Sequence, residues 1–139
     1  MNKQLKVGLK RLAAALLDYG IFLLFFIIYV RTFGEQQPDG TYKAQGFRHF
    51  FIIVLVWIIY FPVLESSLGF TLGKGLFDLK VIGTNGRKPS FSQSFKRHII
   101  DFFDFLFFTT VAFITIRNSP DGVKRLGDMW AKTKVVADE

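Results

Sequence analysis

Two arginine–aspartate pairs stand where charge is costly. Arg11 and Asp18 are seven residues apart at the head of an apolar run, KRLAAALLDYGIFLLFFIIYV, residues 10–30. Arg97 and Asp104 repeat that spacing at the head of another run, with Asp101 between them. Seven steps of about 100° return a helix to nearly the same azimuth, so each pair lies on one face, two turns apart. The rise between the members, roughly 10 Å, is too long for a direct salt bridge unless water, a third group or a kink intervenes. Arg97 and Asp101, at i and i+4, can pair directly. Insertion scales put an Asp at the centre of a membrane helix at about +2.5 to 3.5 kcal/mol, so such acids face protein or water. A carboxylate held there takes a proton or a cation but not both, which is the minimum chemistry of an exchanger.

The elements that must hold these residues are apolar helices. From Leu12 to Val30 the one charge is Asp18, and at about 1.5 Å per residue this run covers roughly 28 Å, the thickness of a bilayer core. It is too long for a signal peptide, and no A-x-A-like site follows at Tyr29-Val30-Arg31-Thr32. Small residues Gly8, Ala13, Ala14, Ala15 and Gly20 let a second helix approach, although the alanines equally serve helix propensity. A polar loop with Pro38-Asp39-Gly40 as its turn signal leads to the second apolar run, Phe47 to Leu64. That run is long enough for a short span with Arg48 snorkelling, His49 at the interface, and a bend or stop at Pro62. The third run, His98 to Ile116, is either a third span or a re-entrant hairpin.

Composition bounds the function. Half of the 139 residues are hydrophobic and 18 are Phe, with charges clustered between the apolar runs, as in a small polytopic membrane protein of one domain, residues 1–139. There is no cysteine, hence no disulfide and no thiolate metal site. No cofactor is expected, and no serine or cysteine nucleophile stands with a base, so the chain does not read as an enzyme. Of the net charge of +7, residues 1–11 carry +4 and residues 65–97 carry +4. Basic segments flanking apolar helices follow the positive-inside rule and point away from nucleic acid. They place the N-terminus and the 65–97 segment in the cytoplasm.

Within that segment, Gly69-Phe70-Thr71-Leu72-Gly73-Lys74 is one residue short of a phosphate loop, and Gly75 stands where Ser or Thr would bind magnesium. Leu79-Lys80-Val81-Ile82 reads as a short strand, followed by the turn Thr84-Asn85-Gly86. Ser90 to Ser94 is a helix start. In the tail, Thr133-Lys134-Val135-Val136 echoes the earlier strand. Pairing of the two would bring the tail back to the cytoplasmic side, against a plain count of three spans. The expected fold is an all-α membrane protein: two transmembrane helices, a third hydrophobic helical segment, and a short two-stranded cytoplasmic β element.

In their order and spacing these landmarks resemble the RDD family of small prokaryotic membrane proteins, named for one arginine and two aspartates. Arg11 and Asp18 match the R-x6-D first helix. Glu65, Gly69 to Lys74, Leu79-Lys80-Val81 and Asn85-Gly86 match the middle. Arg97 with Ile100-Asp101-Phe102 or Phe103-Asp104-Phe105 matches the third run. Asp128, in Lys124-Arg125-Leu126-Gly127-Asp128, is the last aspartate. The resemblance covers roughly residues 8–137. The chain departs from it at Lys132, where the family often has Gly, and at Leu106, where it often has Pro. The resemblance implies a protein of the prokaryotic cytoplasmic (inner) membrane, with some members similar to cation/proton antiporters.

Three functions fit these residues. A homo-oligomeric secondary transporter would exchange a monovalent cation for a proton at Asp18, with Asp101 or Asp104 as second ligand and Arg11 as competing charge. A structural or assembly subunit would use Arg11, Asp18, Glu65, Asp101, Asp104 and Asp128 as a network that fixes helix packing. A lipid-binding role would rest on Lys74, Lys80, Arg87, Lys88, Lys96 and Arg97 gathering anionic head groups.

Overall fold

The computed structural model describes residues 3–106 and 126–138. Its first helix, α1, runs Lys3–Phe33, three residues further at its C-terminal end and seven further at its N-terminal end than the apolar run alone requires. At about 1.5 Å per residue it is roughly 46 Å long, so a bilayer core of about 30 Å leaves its basic N-terminal turns outside or tilts it. Gly34 N–H closes it on the Val30 carbonyl, at 2.8 Å.

The connecting loop is a small hairpin, β1 (Glu35–Gln36) and β2 (Tyr42–Lys43), antiparallel with Glu35 opposite Lys43. Its turn follows the Pro-Asp-Gly signal: Gly40 takes φ 81°, and the Asp39 carboxylate accepts the Thr41 N–H at 3.0 Å and hydroxyl at 2.7 Å. The Thr41 hydroxyl, then its N–H, hold the Asp39 carboxyl below its ordinary range.

The second long helix does not stop at Pro62. It comprises α2 (Phe47–Ile58), a π-helical turn (Ile59–Val63) and α3 (Leu64–Leu68). Proline lacks the N–H that a regular turn would need, and a π turn absorbs that loss without ending the helix. The wide turn also shifts the azimuth of the residues after it, and Phe61, Pro62 and Glu65 all face inward. Gly69, at φ 84°, ends the helix in a left-handed cap, its N–H on the Glu65 carbonyl at 2.8 Å.

A short helix α4 (Leu72–Leu76) then leads into β3 (Leu79–Gly83). Helix α5 spans Phe91–Leu106 and opens on a reciprocal cap: Gln93 N–H donates to Ser90 Oγ at 3.2 Å while Ser90 N–H donates to Gln93 Oε1 at 2.9 Å. After α6 (Leu126–Trp130) the tail forms β4 (Thr133–Ala137). The two echoing segments do pair, antiparallel, with Val81 opposite Val135 and Lys80 opposite Val136. The choice between a third span and a re-entrant hairpin for residues 98–116 lies outside the described residues beyond Leu106.

Among the described residues, many large apolar side chains of the two long helices lie outside while a set of charged ones lies within. The most apolar windows of the two long helices, within Leu5–Phe33 and Phe47–Leu68, are only 17% buried, whereas core helices of a soluble protein would be mostly covered. Leu16, Leu24, Phe47 and Phe50 are all exposed. The buried set contains Arg11, Asp18, Glu65, Arg97, His98 and Asp128. Such an inversion suits a solvent of lipid, in which only polar groups gain by being hidden.

Candidate functional site

Asp18 is met by a helix end. Its Oδ2 accepts the Thr71 hydroxyl at 2.5 Å, and its Oδ1 accepts the Gly73 N–H at 2.8 Å and the Tyr60 hydroxyl at 2.9 Å. Thr71 is the N-cap of α4, so the carboxylate of α1 occupies the end of α4 where backbone N–H groups are left over. The stretch that fails as a phosphate loop thus binds an anion after all, one supplied by its own chain. The approach is close. A Cβ on Gly73 would run into the Ala14 carbonyl oxygen and the Asp18 carboxyl, which accounts for a glycine opposite the fully buried Ala14. Gly8 and Gly20, by contrast, face open space.

The second cluster is ionic. Fully buried Glu65 receives Lys74 Nζ on Oε2, Arg97 Nε at 3.0 Å on Oε1 and His98 Nε2 at 3.2 Å on Oε2. The Arg97–Glu65 contact is near enough for an ion pair but not aligned as a hydrogen bond. Arg97 Nη1 also donates to Asp128 Oδ1, and Asp128 Oδ2 takes Arg11 Nη2 at 2.5 Å. Arg97 is therefore the bridge between Glu65 from α3 and Asp128 from α6. With Arg11 and Lys74, three bases face these two acids, and the negative Asp18 lies next to Lys74 through Gly73. Removing one partner from such a buried set costs about 3–5 kcal/mol, because the remaining charge stays buried.

Asp101 does not pair with Arg97, which is turned to Glu65 and Asp128. Its carboxylate lies 3.6 Å from His98 Nδ1, and its side chain is 16% exposed, against 3% for His98. The side chain of Asp104 is outside the described residues. A cavity of about 30 Å³ opens between Asp18 and Asp101, walled also by Arg11, Lys74, Arg97 and His98. A water needs roughly 10–15 Å³ of such space, so one water or small ion fits. At the far end of the long helices a separate polar contact joins them: Tyr29 hydroxyl to buried His49 Nδ1, 2.8 Å.

Of the basic residues expected to gather head groups, Arg97 and Lys74 face inward and are engaged by acids. Lys80 pairs with Asp138 at 2.6 Å, and Lys88 donates to the Ser67 carbonyl at 3.3 Å from an exposed position. Arg87 is exposed. The residues not anticipated are Tyr60, Thr71 and Gly73, which hold Asp18, and His98. The signal for Thr71 and Gly73 was the helix N-cap pattern at Thr71; for His98 it was its place one residue after Arg97; Tyr60, in the π turn, left none in the sequence.

The chain matches the RDD family over residues 8–132. It belongs to that family. No curated protein and no solved structure matches it. Family membership and two uncovered apolar helices together identify a membrane protein. In this RDD protein Arg11, Asp18 and Asp128 do not pair as neighbours in sequence. Arg11 reaches Asp128, 117 positions away, while Asp18 is held by neutral donors.

Proposed function

We propose that this RDD protein is a small secondary transporter that exchanges a monovalent cation for a proton across the prokaryotic cytoplasmic membrane. The observation that carries this reading is the cavity between Asp18 and Asp101, large enough for a water or an ion and walled by charge. Its two carboxylates are not equivalent. Asp18 accepts from three donors, including a backbone N–H, and is committed to holding α1 against α4. Asp101 lies 3.6 Å from the imidazole of His98, within the field of the Arg97 guanidinium, and is the acid we assign to the exchange. A proton and a cation compete for one carboxylate in a space of low dielectric, and that competition couples their movements. A chain of this size works as a homo-oligomer, with its N-terminus in the cytoplasm.

The experiment is cation-dependent proton flux in proteoliposomes, measured as collapse of an imposed pH gradient on adding Li⁺, Na⁺ or K⁺. Intact protein collapses the gradient with at least one cation, and Asp101→Asn does not. Absence of flux from folded protein with every cation would favour the second reading, a structural subunit, which the saturated hydrogen bonding of Asp18 supports. Orientation is tested separately, since the chain has no cysteine. Single cysteines at Asn85 and Asp138, beside the paired strands β3 and β4, label from the same side of the membrane in either reading.

A further inference from the structure

We propose that Trp130 and Lys96 form a seat for the phosphate head group of an anionic phospholipid. Helix α6 turns Gly127 and Asp128 inward and leaves Met129 and Trp130 about half exposed, at 49% and 51%. Lys96, exposed on α5, holds its Nζ 5.6 Å from the centroid of the Trp130 ring. Lys132, two residues beyond the indole, is exposed as well.

The height of this group is fixed by an ion pair. Asp128 is tied to Arg11 at 2.5 Å, and Arg11 is the last base of α1 before the apolar stretch that begins at Leu12. Trp130 therefore stands level with the boundary between the basic end of α1 and its lipid-facing length. That boundary is where indole rings settle in membranes, apolar face toward the acyl chains and N–H toward the head groups. An ammonium at the same level draws phosphate, and the acid of α6 offers it no competition because Asp128 is buried against Arg11 and Arg97. The occupant must be a lipid with net negative charge. A zwitterionic head group would satisfy the indole but leave the lysines uncompensated. The seat depends on the membrane location of the protein and not on transport, so either can fail alone.

The chain has two tryptophans, and Trp57→Phe leaves Trp130 as the one fluorescent indole. The variant is placed in nanodiscs that contain acyl-brominated lipid, either anionic or zwitterionic, at matched mole fraction. The expected result is stronger quenching of Trp130 by the anionic bromolipid, with the preference reduced about fivefold by Lys96→Gln, the weight of one basic residue at a charged surface. Should Trp57→Phe fail to fold, the difference between intact protein and Trp130→Phe yields the same signal. Equal quenching by both lipids would overturn the proposal and leave apolar insertion only. Quenching by aqueous iodide but not by bromolipid, or protection from both as beneath a second copy of the chain, would overturn it too.

Discussion

Asp18 and Glu65 are both buried acids among apolar helices, and the chain compensates them by different means. Glu65 sits among two cations, Lys74 and Arg97, with the His98 imidazole beside the same carboxylate. Asp18 sits among neutral donors, two hydroxyls and a backbone N–H at the start of α4. The ionic cluster ties five segments of the chain together, since Arg97 links α5 to α3 and, through Asp128 and Arg11, to α6 and α1, while Lys74 of α4 joins at Glu65. The dipolar site ties α1 to α4 and to the π turn. Charge compensated by charge is strong but intolerant of single changes, because each loss exposes a partner. Charge compensated by dipoles degrades more gently, because a lost hydrogen bond costs one bond's desolvation.

That contrast can be broken or sharpened by substitution, with stability read as thermal unfolding in detergent. Glu65→Gln should have the largest effect, about 3–5 kcal/mol, because it leaves Lys74 without its acid and Arg97 with Asp128 alone. A loss under about 1 kcal/mol would mean that Asp128 alone compensates the bases. Asp18→Asn should cost less, about 1–3 kcal/mol, because the amide keeps one acceptor oxygen but turns an N–H₂ toward donors. If it matched Glu65→Gln, the distinction between the two sites would fall. Gly73→Ala should cost about 1–3 kcal/mol by overpacking, since the added methyl meets the Ala14 backbone. The smallest effect is a gain. Lys132, at φ 53°, occupies a left-handed position that suits glycine, so Lys132→Gly should stabilise by about 1 kcal/mol, measured as a higher unfolding temperature.

Lys132 also marks how far the sequence could be read. The departure from the family's Ala-Gly-Thr was visible in the letters, but its meaning is a backbone angle that only the turn into β4 imposes. The two long helices were legible because their hydrophobicity is local and continuous. So was the pairing of β3 with β4, whose β-branched patterns mirror each other. The partners of the charges were not legible. A seven-residue spacing puts Arg11 and Asp18 on one face but at different heights, and each height is met by a different part of the fold. Asp128 joins Arg11 across 117 residues, a closure that no local pattern encodes. Pro62 does not stop the helix for a related reason: a π turn carries the chain past it and turns Glu65 into the core. The stretch around Thr71 was legible only as a failed phosphate loop, and the anion at its helix end is a side chain from α1 rather than a phosphate.

The central claim is a division of labour, in which the ionic cluster holds the fold and Asp101, beside the cavity, carries the exchange. The measurement that tests it most directly takes thermal stability and cation-driven proton flux from the same preparations of intact protein, Glu65→Gln and Asp101→Asn. Asp101→Asn is expected to unfold within a few degrees of intact protein, about 1 kcal/mol or less, yet carry no flux, while Glu65→Gln loses stability first. Asp101→Asn that unfolds as readily as Glu65→Gln, or that transports as well as intact protein, would contradict it.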